Sequence, residues 1–599
     1  MSAIGPTQIG PAVLRVPRQR WILAEPHPQE AEALAQAARI PLVLAELLIA
    51  RGIGTSHEAF AFLNPEVAQL HDPLLMLGMQ AAVERVEAAL ARKEPILLYG
   101  DYDVDGTTAV VLLKTTIELL GGTVRFHVPH RLREGYGLQS AVLEAAYADG
   151  VRLVITVDTG MRAFAEAETA QRLGLDLIIT DHHLARVDEA VPIALAILNP
   201  NQHSCGYPEK SLCGAAIALK LAQALLERHD AELARTKLLP SFLKMAAIAT
   251  IADAVPLRGE NRVIAALGLR ELRRPVGAGL RALFAAAQLD PATRSITAFD
   301  VAFRLAPRIN AAGRMDVASE IIELFCTRDA ARATELANKL EHLNRERRDT
   351  EARALAAIEA RLATDAELAA ALLVVVDGDG WHRGVIGILA SRVVERTAKP
   401  ALVISIEDGV AHGSGRSVDG FQLLEAIETC ADLFTRFGGH AFAVGFALPV
   451  ASLPELKRRL AVCAAERLAA REPERVLNIH AELRLHEITA VLAGWLRKLE
   501  PLGHGNPEPI FVACNVRVIS SPRIMKERHL RLDLAQEEGA AAIRAVGWDM
   551  AARSAELALA QGSRVDVAYR IRENLHPDFG GLEIEIAGLR PAGAECPVS

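Results

Sequence analysis

Tyr99-Gly100-Asp101-Tyr102-Asp103-Val104-Asp105-Gly106 places three carboxylates within five residues, directly after the apolar run Ile96-Leu97-Leu98. Thr107-Thr108 then open an apolar-periodic segment that runs to Leu120 and stops at Gly121-Gly122, so the stretch reads as strand, tight acidic loop and helix. Ligands of open α/β sheets collect outside the carboxyl ends of the strands, where this loop falls. Residues two apart share a face in extended backbone, which sets Asp101, Asp103 and Asp105 side by side. Three like charges on one face repel unless a cation neutralises them, and oxygen clusters suit hard divalent ions. Taken alone, the same residues serve equally well as a solvated acidic turn capping a helix.

The neighbouring sequence repeats the pattern. Val151–Val157 is a strand ending at Asp158, and Leu177–Thr180 is a strand ending at Asp181-His182-His183. Val124–Val128 and Ala194–Leu198 are further strands, and Met79–Arg92, Ser140–Ala148 and Arg162–Leu173 are helical. Such alternation predicts a parallel, doubly wound sheet, with three acidic or histidine clusters each terminating a strand. Asp253 follows the apolar segment Phe242–Ile251. Ala331–Ala363 is highly charged and free of Gly and Pro, a long exposed helix joining two domains. A second α/β block opens at Leu372–Val376 and ends near Arg467. Beyond about residue 478 the period changes to two over Phe511–Ile519, His529–Leu534, Ala542–Val546, Arg564–Ile571 and Leu582–Leu589, the signature of a small barrel of OB type.

A chain of 599 residues exceeds a single core, and 51% hydrophobic with 23% charged residues marks it as globular. Its net charge of −8 means that an anionic substrate must be met by local basic patches or by metal ions. The seven cysteines are scattered without a C-x-x-C pair, which argues against a disulfide framework and a structural zinc site. The Gly- and Pro-rich segment Met1–Pro17 lacks the apolar core of a signal peptide, and no apolar run reaches the length of a membrane span. A cytoplasmic protein with reduced thiols and no membrane contact is expected. There is no G-x-x-x-x-G-K-[ST], no H-E-x-x-H and no G-x-S-x-G, which leaves P-loop ATP hydrolysis, zincin chemistry and the serine-hydrolase elbow unsupported.

Asp101-Tyr102-Asp103-Val104-Asp105-Gly106, Val157-Asp158-Thr159-Gly160, Asp181-His182-His183 and Ile251-Ala252-Asp253 occur in this order, and with them the chain resembles the DHH phosphoesterase family. Gly413-Ser414-Gly415-Arg416-Ser417 and Gly438-Gly439-His440-Ala441 resemble the DHH-associated domain of that family. The fold class implied is α/β: a DHH parallel-sheet domain and a DHH-associated domain joined by a long helix, plus a C-terminal OB-type β-barrel. The domain boundaries are placed at 1–75 for a mostly helical lead-in, 76–275 for the DHH domain and 276–365 for helices including the connecting one. The DHH-associated domain takes 366–472 and the OB fold 473–599.

The resemblance implies single-strand-specific 5′→3′ DNA exonuclease activity by a two-metal mechanism, releasing 5′ mononucleotides in repair and recombination. It implies Asp103, Asp105, Asp158, His182 and Asp253 as ligands to two Mn²⁺ (or Mg²⁺) ions. His183 is then placed at the scissile phosphate or the leaving group, with Asp101 and Asp181 as supporting groups. Such ions activate water and neutralise phosphate oxygens. Arg308, Asn310 and Arg314, in a Gly-containing loop, suit a phosphate clamp, because guanidinium forks match phosphate oxygens. Ser414, Arg416 and His440, in Gly-rich turns, are assigned to binding the strand or its 5′ end; Arg131 and Arg133 are additional candidates. Arg523, Lys526, Arg528 and Arg531 form a basic run in the barrel with few aromatics, suited to salt-sensitive backbone binding or to a solvated edge. Single-stranded DNA, a single-strand-binding protein and a recombination helicase are the partners implied, for a monomer. The strand is expected to thread a narrow passage between the two α/β domains. A phosphodiesterase for oligonucleotides or cyclic dinucleotides, and a non-catalytic DNA-binding scaffold, are the alternatives.

Overall fold

The computed structural model describes residues 18–130, 134, 137–185, 190–274, 277–314, 318–468, 474–537, 539, 541–574 and 580–593. They divide into two units, Leu23–Asn344 with Ile479–Ser599, and Met1–Ile22 with Arg345–Asn478. The first unit is built on five parallel strands: β1 (Ile96–Tyr99), β2 (Val124–His127), β3 (Leu153–Val157), β4 (Asp176–Thr180) and β5 (Ala196–Leu198), in the spatial order 2-1-3-4-5. All four pairings are parallel, with Ile96 beside both Val124 and Leu153, so every strand ends at the same edge.

Strands buried on both faces read as continuous apolar runs because successive side chains feed opposite layers. Ile96, Leu98, Ile155 and Val157 pack into the large core beneath helices α1 (Val104–Leu119), α2 (Gly214–Leu233) and α3 (Leu239–Ala252). Leu97, Tyr99, Val154 and Ile179 pack into the core on the opposite face. The order 2-1-3 reverses direction beside β1, at the switch point where the acidic loop begins.

Two features escape the sequence patterns. The lead-in is not an appendage: Leu34, Leu44, Leu47 and Leu48 share one core with Phe511, Val516, Leu532 and Tyr569 of the C-terminal segment. That segment is a seven-stranded sheet of β11 (Ala481–Glu482), β12 (Phe511–Val518), β13 (Arg523–Met525), β14 (His529–Ala535), β15 (Ile543–Gly547), β16 (Arg564–Asn574) and β17 (Gly581–Pro591). Its order is 11-12-16-17-15-14-13, and two residue pairs between β12 and β14 curl the sheet back on itself. Arg262, buried on helix α4 (Gly259–Glu271), ties these parts to the parallel-sheet domain by donating to the carbonyls of Phe62, Lys498, Leu499 and Glu500.

The second unit contains a five-stranded mixed sheet, β6 (Val374–Asp379), β7 (Ala401–Glu407), β8 (Val410–Arg416), β9 (Arg436–His440) and β10 (Ala443–Pro449), in the order 9-10-8-7-6. Ser414, Arg416 and His440 therefore lie in strands, not in turns. The glycines there serve packing: a Cβ at Gly413 would stand 2.0 Å from the Phe446 ring. The charged helix forms as the sequence predicts, over Ala330–Thr364. Arg308, Asn310 and Arg314 are likewise helical, in α5 (Ala306–Arg314), where a loop was expected from Gly313. That glycine lies inside a helix because a Cβ would meet the Tyr102 carbonyl oxygen at 2.2 Å. Cys205, Cys213, Cys326, Cys430 and Cys463 carry free thiols. Among the described residues no helix is long and apolar enough to cross a membrane.

Lys220 of α2 is fully buried, and its Nζ donates to Glu260 Oε1 at 2.8 Å, Gln223 Oε1 at 2.6 Å and the His71 carbonyl at 2.6 Å. Tyr207 Oη completes the cluster by donating to Glu260 Oε2 at 2.6 Å. Removing one member strands a buried charge, at a cost of about 3–5 kcal/mol. Lys220→Met is expected to lower stability by that order in urea unfolding at pH 7. The double change Lys220→Met with Glu260→Gln leaves no charge behind and recovers part of the loss.

Candidate active site

The acidic loop owes its shape to a strand turning into a helix, and its three carboxylates do not alternate along one extended face. Asp103 is the N-cap of α1 and accepts from Gly106 N–H at 3.0 Å, while Asp105 already lies in the first helical turn. A Cβ at Gly106 would stand 2.6 Å from the backbone of Asp101, so only glycine lets the loop close this tightly. Asp105 is buried at the start of α2, where Gly214 N–H and Ala215 N–H donate to its two oxygens at 2.6 and 2.7 Å. A helix N-terminus is a ready anion site, and here it holds one of the protein's own carboxylates. Asn310 Oδ1 accepts from Val104 N–H at 3.2 Å, so α5 supports the same loop.

Asp158 follows β3 with φ of +59°, a left-handed conformation that a non-glycine residue adopts at some cost. Its N–H donates to the Thr180 carbonyl at 2.9 Å, which fixes the side chain over the sheet edge. Gly214 makes room for it: a Cβ there would stand 2.6 Å from Asp158 Cβ and 2.8 Å from Oδ1. His182 joins three carboxylates, with Nε2 3.2 Å from Asp158 Oδ1 and 3.8 Å from Asp105 Oδ2, and Nδ1 3.9 Å from Asp253 Oδ2. Asp253 is the C-cap of α3. Asp181 is a supporting group: Oδ1 accepts from the N–H groups of His182 and His183 at 2.8 and 3.1 Å and lies 2.7 Å from His183 Nδ1, and Oδ2 accepts from Met161 N–H. The His182 and His183 rings lie 4.5 Å apart.

Burial and the neighbouring Asp105 raise the Asp103 and Asp158 carboxyls above the usual range, Asp158 well above it. The same two causes push Asp253 up to about 8. Burial would also raise Asp181, but hydrogen bonds from His183 and the backbone outweigh it and leave that carboxyl lowered. For His183 burial favours the neutral ring, and the Asp181 carboxylate overrides it and raises the imidazolium. Carboxylates this close and this dry ionise together only with a cation among them. Among the described residues no group donates a hydrogen bond to buried Asp158 Oδ1, which has His182 Nε2 3.2 Å away as an ion-pair contact, and mixed carboxylate and imidazole ligands suit Mn²⁺ or Mg²⁺. Ligand atoms within 4.8 Å of one another form three overlapping sets: Asp158, His182 and His183; Asp105, His182 and Asp253; Asp101, Asp103 and Asp158. The residues fit more than one divalent ion, and Asp101 stands among the potential ligands.

Of the substrate candidates, Arg308 is held by Glu341, Nε to Oε2 at 2.6 Å, and donates to the Arg304 carbonyl. Ser414, Arg416 and His440 belong to the other unit, where Arg416 Nη1 donates to the Gly415 carbonyl at 2.8 Å and His440 is exposed on the edge strand. Arg131, Arg133 and the side chain of Arg314 lie outside the described residues. Gly214, Asn199 and Asn201 went unread in the sequence. Asn199 and Asn201 donate to the carbonyls of His183 and His182, each at 2.9 Å, and follow β5 as a polar strand end of the kind that betrayed Asp158. Gly214 carries no comparable signal, because its role depends on a side chain 56 positions away.

Family models match over three stretches: the DHH family N-terminal domain at residues 95–250, the DHHA1 domain at 368–466 and the RecJ OB domain at 479–587. The single-stranded-DNA-specific exonuclease RecJ of Dickeya dadantii is 36% identical over 516 residues, covering 82% of this chain and 86% of the relative. The protein of the same name from Bacillus subtilis is 36% identical over 523 residues, and the chain spans 65% of its length. The crystal structure of RecJ in complex with Mn²⁺ from Thermus thermophilus superposes with a TM-score of 0.81 at 30% identity, covering 96% of this chain and 80% of that one.

Gly214→Ala is expected to displace Asp158 and lower Mn²⁺ affinity on the order of 10–100-fold, the range for groups that orient metal ligands. Isothermal titration calorimetry with Mn²⁺ reads this directly. Unchanged affinity would show that the contact between α2 and Asp158 does not govern the centre.

Proposed function

The chain belongs to the RecJ family of single-stranded-DNA-specific exonucleases, and from that membership we propose that it hydrolyses single-stranded DNA from the 5′ end, releasing 5′ mononucleotides. One observation supports this reading above the others: Asp103, Asp105, Asp158, His182 and Asp253, drawn from four separate stretches, converge at one sheet edge. Their neighbours hold them there through backbone hydrogen bonds.

Asp103, Asp105, Asp158, His182 and Asp253 would hold two divalent cations, Mn²⁺ or Mg²⁺, which would supply an activated water and neutralise the phosphate oxygens. Asp158 lies at the centre of the set, within reach of His182 and grouped with both Asp101 and Asp103. Asp105 is fixed by two N–H groups and Asp253 by the end of a helix, so neither needs to reorganise when substrate arrives. Asp181 Oδ1 lies 2.7 Å from His183 Nδ1 and orients the ring. His183 contacts the scissile phosphate or delivers a proton to the leaving oxygen. Arg308, Asn310 and Arg314 of α5 serve as the phosphate clamp in this reading, and Asn310 also positions the acidic loop. Ser414, Arg416 and His440 bind the strand or its 5′ end.

The match to the RecJ OB domain extends beyond the two domains that an oligonucleotide or cyclic-dinucleotide phosphodiesterase needs, and the intact ligand set speaks against a non-catalytic scaffold. On this reading the chain is a cytoplasmic monomer that acts in repair and recombination with a single-strand-binding protein and a recombination helicase.

Asp103→Ala is expected to lower hydrolysis of single-stranded DNA in Mn²⁺ by more than about 100-fold, beyond the effect typical of groups that only orient ligands. Chelation abolishes activity and added Mn²⁺ restores it. A strand labelled at its 5′ end releases labelled mononucleotide at once, while a 3′-labelled strand shortens stepwise; the reverse pattern would refute the polarity.

A further inference from the structure

Aromatic residues make up 4% of the chain, yet two stand together in solvent. Phe299 and Phe303 are 65% and 66% exposed, and their rings meet at a tilt, with centroids 4.7 Å apart and planes at 36°. Leaving such rings in water forgoes about 1.5–3 kcal/mol of burial each.

The backbone beneath them is tightly specified. Phe299 lies in the turn Ala298–Asp300, capped by Thr297, and Phe303 lies in the π-helical turn Val301–Leu305 that runs into α5. Turns of that type are rare and concentrate at functional sites. Asp300 is buried and holds the turn, accepting from Arg294 Nη2 at 2.6 Å, Arg294 Nη1 at 2.9 Å and Thr297 N–H at 3.0 Å.

The two rings border a groove of about 600 Å³ whose other wall includes Ala254 and Val255, next in sequence to Asp253, together with Leu502 and His504. His504 Nδ1 lies 2.6 Å from the Ala254 carbonyl and fixes that wall. On the aromatic side the helix continues to Asn310, which holds the acidic loop at Val104. Both walls are thus coupled by covalent chain and hydrogen bonds to groups of the active site. Arg572, at one end, is engaged by Glu508 and Glu585, so the groove holds its cation in internal pairs and what it presents outward is ring surface.

We propose that Phe299 and Phe303 form a stacking platform for unpaired bases of the strand that is cut at the adjacent acidic cluster, an inference that rests on the exonuclease reading. Every base has a π-face, so the platform is indifferent to sequence, and bases inside a duplex cannot reach it. It therefore favours single strands through the bases themselves.

The test uses full-length protein with single-stranded DNA carrying 2-aminopurine at successive positions from the 5′ end, in EDTA for binding and in Mn²⁺ for turnover. The wild-type protein quenches the reporter at one or two positions. Phe299→Ala with Phe303→Ala abolishes that quench, raises Kd roughly tenfold or more, within the range for lost base stacking, and raises KM more than it lowers kcat. Phe303→Trp in the Phe299 background retains both quench and affinity. A double variant with wild-type thermal unfolding that still quenches at the same positions and keeps its Kd overturns the proposal, as does one impaired only in binding another protein. Wild-type protein that quenches the reporter but hydrolyses no single-stranded DNA would instead remove the exonuclease reading.

Discussion

Two hydrogen bonds, from Gly214 and Ala215 N–H to the oxygens of Asp105, are the interaction on which the centre depends. They bring the start of α2 to the end of the loop that follows β1, across 109 positions of sequence, and give one carboxylate an uncharged partner in a dry site. Helix N-termini stabilise anions through their unsatisfied N–H groups and partial positive charge. With Asp105 anchored in this way, Asp158 fits against the missing side chain of Gly214, and His182 comes within 3.2 Å of it. The parallel sheet supplies the common edge; α2 supplies the closure.

Much of this was legible because β1, β3 and β4 are apolar runs ended abruptly by acidic or histidine residues, and a strand buried on both faces has no other way to be written. The helix over Ala330–Thr364 was legible for the opposite reason, since continuous charge without Gly or Pro admits little else. What stayed hidden depends on distant partners. Gly313 reads as a loop residue until the Tyr102 carbonyl is seen where its Cβ would be, and Gly413 reads as a turn until Phe446 is placed over it. The lead-in helices give no sign that their leucines belong to the core of the C-terminal sheet. Asp101 and Asp181 divide on similar grounds: Asp181 is occupied by backbone and His183 bonds, while Asp101 groups with Asp103 and Asp158, a distinction that spacing alone does not contain.

The surrounding fold spends buried polar groups on position. Asn199, Asn201 and Asn310 each bond a backbone group of a residue in or beside the centre, which fixes main chain and lets the functional side chains follow. Lys220 with Glu260, and Arg262 with four carbonyls, do the same on a larger scale by pinning α2 and α4 to the lead-in and C-terminal segments. A buried ion pair adds little net stability over apolar packing, but it penalises any arrangement in which its members part. That penalty suits a site whose geometry is set by where helices start and stop.

The charge balance then explains how a chain of net charge −8 handles a polyanion. A group of close carboxylates lies at one sheet edge, where their repulsion demands cations, and divalent ions bound there would reverse the local sign towards phosphate. Other arginines are committed to internal pairs, Arg294 with Asp300 and Arg572 with Glu508, which limits sequence-independent attraction to any nucleic acid backbone. Discrimination can then rest on features that only an unpaired strand offers, a backbone able to reach a recessed metal centre and bases able to turn outward onto exposed rings. A strongly basic groove would gain affinity for duplex and single strand alike; a centre made attractive mainly by bound metals, beside neutral ring faces, would confine tight binding to an unpaired strand.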